Sequence, residues 1–246
     1  MKSKDLEPLR VVAISDTHGQ HQQVAVPDGD VLIHCGDYCS HGSFSEVSDL
    51  AKWMGSLPHK HKIATAGNHD APVEQREHDC RQLFKKHGIH LLLNEAVVID
   101  GVKFWGSPVT PMFFDWSFMK ERGEEIAKVW AQIPEDADVI ITHGPAYGHG
   151  DLCPPYRSSA LKVAGCLDLL NRIRDIKNNT QFRFPRVHVC GHIHAGHGVT
   201  QSDEFGSLTF INAAICTEGY KPTNSPIGFQ IQGYFDGQGQ DTTGQS

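Results

Sequence analysis

Two pairs of potential metal ligands stand out first, one of aspartate with histidine and one of two histidines. Asp16 and His18 form D-x-H, and His192 and His194 form H-x-H within VHVCGHIHAGHG at 187–198. On extended backbone such residues point to one face, with Cα atoms roughly 6.6 Å apart from a rise of about 3.3 Å per residue. One pair can then reach one ion or two neighbouring ions. The same parity sends His197 to the other face, which makes it a loop histidine instead of a ligand.

Asp37 follows Gly36, which allows a sharp turn and aims a carboxylate with two ligand oxygens. Asn68 offers a neutral oxygen and His143 a further imidazole. Carboxylate, amide and imidazole together make a mixed O/N donor set that suits Mn, Fe or Zn and not thiolate-selective metals. Each of these residues alone could be a cap or a turn residue. Jointly they point to a metal site.

Short apolar runs lead into these residues. VVAIS precedes DTH, DVLIHC precedes GD, KIATA precedes GNHD, DVIIT precedes HG, and VHVC precedes GHIH. Runs rich in Val and Ile and closed by Gly or Asp read as buried strands. FSEVSDLAKWMGSL, CRQLFKKHG with Gly88 as a C-terminal stop, ERGEEIAKVWAQI and SALKVAGCLDLLNRIRDI read as amphipathic helices between them. VVIDGVKFWGS predicts a hairpin turning at Asp100-Gly101, and LTFINAAIC and PIGFQIQGYF supply late strands. Strands alternating with helices make an α/β fold, a sandwich of two mixed β-sheets flanked by helices. In such sheets ligands bind at the carboxyl ends of the strands, which is where the candidate ligands fall.

The chain has 246 residues, enough for a sizeable core, and is expected to form a single domain over 1–236 with a frayed tail at 237–246. A net charge of −7 speaks against large nucleic acids and anionic membranes as partners. MKSKDLEPLR lacks the apolar core of a signal peptide and no run approaches the roughly 20 apolar residues of a membrane span, so a cytoplasmic location is expected. Seven cysteines without C-x-x-C spacing read as reduced, buried thiols. Among the 16 histidines, His34 and His188 on strands and His59 and His61 before one read as core or surface residues.

In this order, D16-T-H18, G36-D37, G67-N68-H69-D70, H143-G144 and G191-H192-I193-H194 resemble the five blocks of the calcineurin-like metallophosphoesterases. FWGSPVTP, THGPAYGHGD, KVAGCLDLL and INAAICTEGYKPTNSP are similar to the metallophosphoesterase-domain-containing branch of that family. The resemblance implies a four-layer αββα sandwich holding two divalent metal ions, with Mn favoured among Fe, Zn, Co, Ni and Mg. Asp16, His18 and His194 would hold the first ion, Asn68, His143 and His192 the second, and Asp37 would bridge them. Some members of the branch carry glycine at the position of His192. The histidine here implies a complete dinuclear centre.

The reaction so implied is attack of a metal-bridging hydroxide on a phosphoester, with Asp37 and His69 as the catalytic pair and His69 as proton donor to the leaving alkoxide. The favoured substrates are small phosphodiesters or nucleotides, cyclic nucleotides among them. A phosphomonoesterase, a dinucleoside polyphosphatase and a non-catalytic scaffold are the alternatives, and the lack of G-x-S-x-G ranks a serine hydrolase below all of them. Asn68, His69 and His149, the last in the Gly144–Asp151 loop, are candidate substrate contacts. Ser40 stands where related Ser/Thr phosphatases carry the carboxylate that orients the catalytic histidine, which leaves Asp70 as a substitute candidate. The aromatics of PMFFDWSF could stack on a nucleobase or fill the core, and sequence does not separate the two.

Overall fold

The structure, a computed structural model, describes residues 7–154, 162–179 and 185–234. The expected tail at 237–246 lies outside these residues.

Parallel pairing of β1 (Leu9–Ile14), β2 (Val31–His34), β3 (His61–Ala64) and β4 (Ile89–Leu91) builds the first sheet. A late strand, β15 (Ile227–Ile231), closes its other edge antiparallel to β1. The second sheet contains β5 (Glu95–Ile99), β6 (Val102–Ser107), β9 (Val139–Thr142), β12 (Val187–Cys190), β13 (Gly198–Thr200) and β14 (Thr209–Asn212). Its order is β13-β14-β12-β9-β6-β5, parallel in the middle and antiparallel at both edges. Two short pairings stand outside the sheets: β7 (Thr110–Pro111) with β8 (Met119–Lys120), and β10 (Leu152–Cys153) with β11 (Lys162–Val163).

Strand alternation sorts the apolar residues into layers. Val11 and Ala13 of β1 face the second sheet and pack with Ile33, Phe104, Val139, Ile141, Val189 and Ile211. Val12 and Ile14 face the other way, onto Val47, Leu50 and Met54 of α1 (Phe44–Ser56) and Phe84 of α3 (Glu77–Lys86). On the second sheet Trp105, Ile140 and Phe210 meet α4 (Glu124–Trp130) and α5 (Leu167–Asn178) through Ile126, Trp130, Leu169 and Ile173. The result is the expected αββα sandwich, with a five-residue helix α2 (Ala71–Gln75) just after the GNHD block.

The turn at Asp100 and Gly101 forms as the sequence predicts, with φ of 45° and 76°. Two residues with positive φ match the twist of a two-residue hairpin. Gly88 also takes φ 69° beyond the end of α3. Two helix expectations need correction. The helix read from SALKV onward begins only at Leu167, because Lys162–Val163 pair as a strand and Gly165 gives its N–H to Asp151 Oδ2 at 3.1 Å. Residues 159–161 of that stretch lie outside the described residues. The helix read from Glu121 starts at Glu124, since Gly123 at φ 86° and ψ −134° is not helical.

Candidate metal centre

Five loops converge at the carboxyl ends of β1, β2, β3, β9 and β12. Asp16 and His18 follow Ile14, Asp37 follows His34, Asn68 follows Ala64, His143 follows Thr142, and His192 and His194 follow Cys190. These residues are not on extended backbone, which corrects the parity argument. Asp16, His18, Asp37 and His192 have φ of 53°, 42°, 54° and 66°. Left-handed backbone costs a non-glycine residue about 1–2 kcal/mol, so neighbouring contacts must hold it. Cross-loop bonds do so: Asp16 N–H to the Gly36 carbonyl at 2.9 Å, His18 N–H to Asp37 at 3.1 Å and Gly19 N–H to Tyr38 at 2.8 Å.

Glycine is required where ligand loops touch. A Cβ on Gly191 would fall 2.1 Å from Asp16 Oδ2, and one on Gly67 would fall 2.3 Å from Asp37 Oδ1. The two carboxylates occupy the space a side chain would need.

The side chains gather in two overlapping groups. Asp16, His18 and His194 place one ligand atom each within 4.8 Å of the others, and Asp37, His143 and His192 do the same. His18, Asp37 and His69 form a third set at the same spacing, which puts Asp37 between the two groups. Asn68 joins the His143 group, with its Oδ1 3.0 Å from His143 Nε2.

Hydrogen bonds fix which ring nitrogen faces inward. His18 Nδ1 donates to the Cys39 carbonyl at 3.2 Å, His143 Nδ1 to Cys35 at 2.9 Å and His194 Nδ1 to Thr217 at 3.0 Å. A carbonyl can only accept, so each Nδ1 carries the hydrogen and each Nε2 presents a lone pair. His18 Nε2 and His194 Nε2 then face one another at 3.2 Å, beside Asp16 Oδ1 at 3.5 Å from His194. His143 Nε2 faces Asn68 Oδ1 and, at 3.3 Å, Asp37 Oδ2. Asp16 Oδ1 is buried and has no hydrogen-bond donor. Converging lone pairs without a donor call for a cation in each group, and the oxygen and nitrogen donors suit a borderline or hard divalent metal.

Electrostatics say the same. Burial works against a charged His143, but Asp37 outweighs it and pushes the ring up to about 9. Burial opposes the Asp16 charge, yet the adjacent His194 and the nearby His143 hold the carboxyl down at about 2. Asp37 is likewise held below the usual carboxylate range by His143 against the cost of burial. Burial, then the neighbouring His143, lowers His192 to about 4. Positive charge stabilises these carboxylates, and divalent ions supply more of it than protons can.

Several supporting residues escape sequence reasoning. Both Asp70 oxygens are taken by backbone donors, Oδ2 by Asp37 and Gly67 and Oδ1 by Cys39, so Asp70 orders the loops instead of the His69 ring. Ser40 Oγ donates to the His18 carbonyl. The Asp37 loop is further tied to α1 by Glu46, which accepts from Ser40 N–H at 2.8 Å and closes a capping box with Ser43. The S-x-x-E pattern at 43–46 is a readable signal for that cap. Asn212 Nδ2 donates to the carbonyls of Gly150, Ile193 and Gly191 at 2.9, 2.9 and 3.3 Å, while its Oδ1 accepts from Ala214 N–H. No spacing in a single sequence marks it.

The His69 ring has no hydrogen-bonded carboxylate among the described residues. Its backbone N–H donates to Asp37 Oδ1 at 2.8 Å, and its ring meets His18 and Trp116 edgewise at 4.7 and 4.6 Å. Of the PMFFDWSF aromatics, Trp116 and Phe113 border the site, Phe113 at 5.3 Å from His192, while Phe118 packs against the core; Tyr220 also borders the site, at 4.9 Å from His18 and 5.3 Å from His194. His149 is not brought into these groups. Its ring stacks on Phe210 at 3.6 Å and lies 3.3 Å from Thr200 Oγ1. His197 bonds the Ser225 carbonyl at 2.9 Å, outside the groups. His34 and His188 are buried, as is His59, while His61 is partly covered.

Comparison with known proteins agrees with this geometry. A family model described as calcineurin-like phosphoesterase matches residues 9–196. Metallophosphoesterase domain-containing protein 1 of Homo sapiens is 36% identical over 240 residues, covering 89% of this chain and 69% of that protein. A UPF0046 protein of Caenorhabditis elegans is 40% identical over 238 residues, covering 91% of this chain and 81% of that one. A solved structure from Thermus thermophilus superimposes with a TM-score of 0.54 at 13% identity, over 84% of this chain and 89% of its own. With the family model spanning most of its length and both sheets arranged accordingly, the chain belongs to the calcineurin-like phosphoesterase family.

Proposed function

We propose that the chain is a phosphodiesterase with a dinuclear divalent centre, acting on small phosphodiesters with cyclic nucleotides among them. The observation that carries this reading is the convergence of acceptor atoms. Three imidazoles tied through Nδ1 to carbonyls aim Nε2 lone pairs at Asp16, Asp37 and Asn68. Asp16, His18 and His194 would hold one ion and Asn68, His143 and His192 the other, with Asp37 shared. Manganese is favoured, with Fe, Zn, Co, Ni or Mg as other fits to these donors. Two such ions would lower the pKa of a bound water and offset charge developing on the phosphoryl oxygens.

The chain's own residues then divide the remaining work. Asp37 is rigid because its backbone N–H is held by Asp70 and its Oδ1 by the His69 N–H. Asn68 and His69 follow one another on the same loop and border the phosphoryl position. His69 delivers a proton to the leaving ester oxygen, with Trp116 packed edgewise against its ring. The net charge of −7 supports a small substrate over a large nucleic acid. Among the described residues no helix is long and apolar enough to cross a membrane, and work in the cytoplasm is part of this proposal.

A metal-reconstituted substrate panel tests it. Cyclic nucleotides, linear diesters, monoesters and dinucleoside polyphosphates are compared, with bound metal quantified on the same sample. Diesters turning over fastest with two ions per chain is the expected result. Monoesters turning over much faster than diesters would overturn the diester preference, and a folded, loaded protein inert to every ester would mark a scaffold.

A further inference from the structure

The loop between β7 and β8 presents three exposed rings, Phe113, Phe114 and Trp116, at 40, 65 and 44% exposure. Exposing that much apolar surface in one place is costly for a protein unless something covers it. The loop is not loose at its base. Thr110 N–H bonds the Phe118 carbonyl at 3.1 Å, Met112 N–H bonds Lys120 at 2.8 Å, and Phe118 N–H bonds Glu74 at 3.1 Å.

The rings also support one another. Phe113 and Trp116 have centroids 5.9 Å apart, and Phe114 and Trp116 6.3 Å. The platform touches the centre at both His69 and His192. Trp116 forms one wall of an open cleft of about 400 Å³ that starts at Asn68 and runs past Ala71, Glu74, Gln75 and Asp115. A group esterified to a phosphoryl held beside Asn68 has room to extend into this cleft and lie against the rings.

The cleft's chemistry is uneven. Its lining combines the Trp116 ring with the Glu74 and Asp115 carboxylates and the Gln75 amide. Carboxylates repel a second phosphate and accept hydrogen bonds from hydroxyl and amino groups. We infer that Trp116 and Phe113 form the subsite for an uncharged planar ring system attached to a single phosphoryl group, such as a nucleobase on its sugar, and that Glu74 and Asp115 select against polyphosphate chains. This rests on the phosphoester chemistry proposed above for the same centre.

Isothermal titration calorimetry gives a readout independent of turnover that serves every variant, with intrinsic fluorescence as a second signal in wild type. Of the four tryptophans Trp105 and Trp130 are buried at 1% exposure and Trp53 is partly buried away from the rings, whereas Trp116 is open to a ligand. Manganese-loaded protein is titrated with AMP, ribose 5-phosphate, inorganic phosphate and ADP, in wild type, Trp116→Leu, Trp116→Phe and Glu74→Gln/Asp115→Asn. Circular dichroism and metal content confirm that each variant is folded and loaded.

Base stacking on an aromatic ring predicts that wild type binds AMP about tenfold more tightly than ribose 5-phosphate and that AMP quenches fluorescence. Trp116→Leu should remove that preference, Trp116→Phe should keep part of it, and inorganic phosphate should bind wild type and Trp116→Leu alike. Neutralising the two carboxylates should raise the affinity for ADP relative to AMP. Equal binding of AMP and ribose 5-phosphate by wild type, or an AMP preference that survives Trp116→Leu, overturns the ring subsite. An unchanged ADP to AMP ratio overturns the charge selection. Absent diester hydrolysis with the AMP preference intact would refute the proposed reaction and leave the subsite standing.

Discussion

Asp70 accepts the backbone N–H of Asp37 at 2.8 Å, and the same oxygen accepts Gly67 N–H at 2.8 Å while the other takes Cys39 N–H at 3.0 Å. One buried carboxylate thus locks the loops that carry Asp37 and Asn68. Burial, and next the charge of Asp37, raises it to about 8, which is the cost of placing it there. Divalent ions beside Asp37 would offset that cost.

Asp70→Ala leaves three buried N–H groups without an acceptor, each worth roughly 1–3 kcal/mol. The variant is expected to unfold at lower urea than wild type and, where still folded, to bind metal about 10–100-fold more weakly. Calorimetric metal titration at a temperature where circular dichroism shows a folded chain checks this. Wild-type metal affinity in folded Asp70→Ala would refute the positioning role.

Asn212 ties the loop after His143 to the loop that carries His192 and His194 through Gly150, Gly191 and Ile193. Asn212→Asp keeps the acceptor for Ala214 N–H but turns a carboxylate oxygen toward three carbonyls. It should cost more metal affinity than Asn212→Ala, which only removes the donors. The same titration measures both, and the reverse order would contradict the argument.

His188 sets a pH dependence of stability away from the ligands. Thr142 Oγ1 donates to the Gly144 carbonyl at 2.6 Å and so accepts from His188 Nε2 at 2.8 Å, leaving His188 Nδ1 buried without a partner. Burial lowers the ring to about 3 in the folded chain, against its ordinary 6.5. Between these values the unfolded chain takes up the proton and the folded chain does not. The contribution of His188 is full above pH 6.5 and is lost as pH falls toward 3. His188→Phe should therefore flatten the acid limb by at most about 1.4 kcal/mol per pH unit. Urea midpoints of both proteins in chelator between neutral and acid pH check it, and parallel limbs would contradict it.

The sandwich and the candidate ligand positions are legible because burial leaves a plain trace. Val-rich runs such as DVLIHC and DVIIT are buried on both faces, and each is followed directly by a residue that can bind a cation. The geometry of those residues is not legible. D-x-H and H-x-H suggest extended pairs, yet Asp16, His18 and His192 are left-handed, held there by bonds between loops distant in sequence. Long-range partners explain the other gaps. Asp70 looks like a neighbour of His69 but serves Cys39 and Asp37, and Asn212 acts through residues some 20 to 60 positions away. Gly165 shows the converse case, in which one close approach to Asp151 stops a helix that periodicity alone would extend.

The shared carboxylate of Asp37 and the free ring of His69 carry the central claim, and one measurement addresses both. Metal content and initial rate on a cyclic nucleotide are determined on the same samples of wild type, Asp37→Ala and His69→Ala. The account predicts that Asp37→Ala loses bound metal and turnover together, while His69→Ala keeps two ions and loses about 10²–10⁴ in rate. A metal-replete Asp37→Ala with the wild-type rate, or a His69→Ala that sheds its metals, would contradict it.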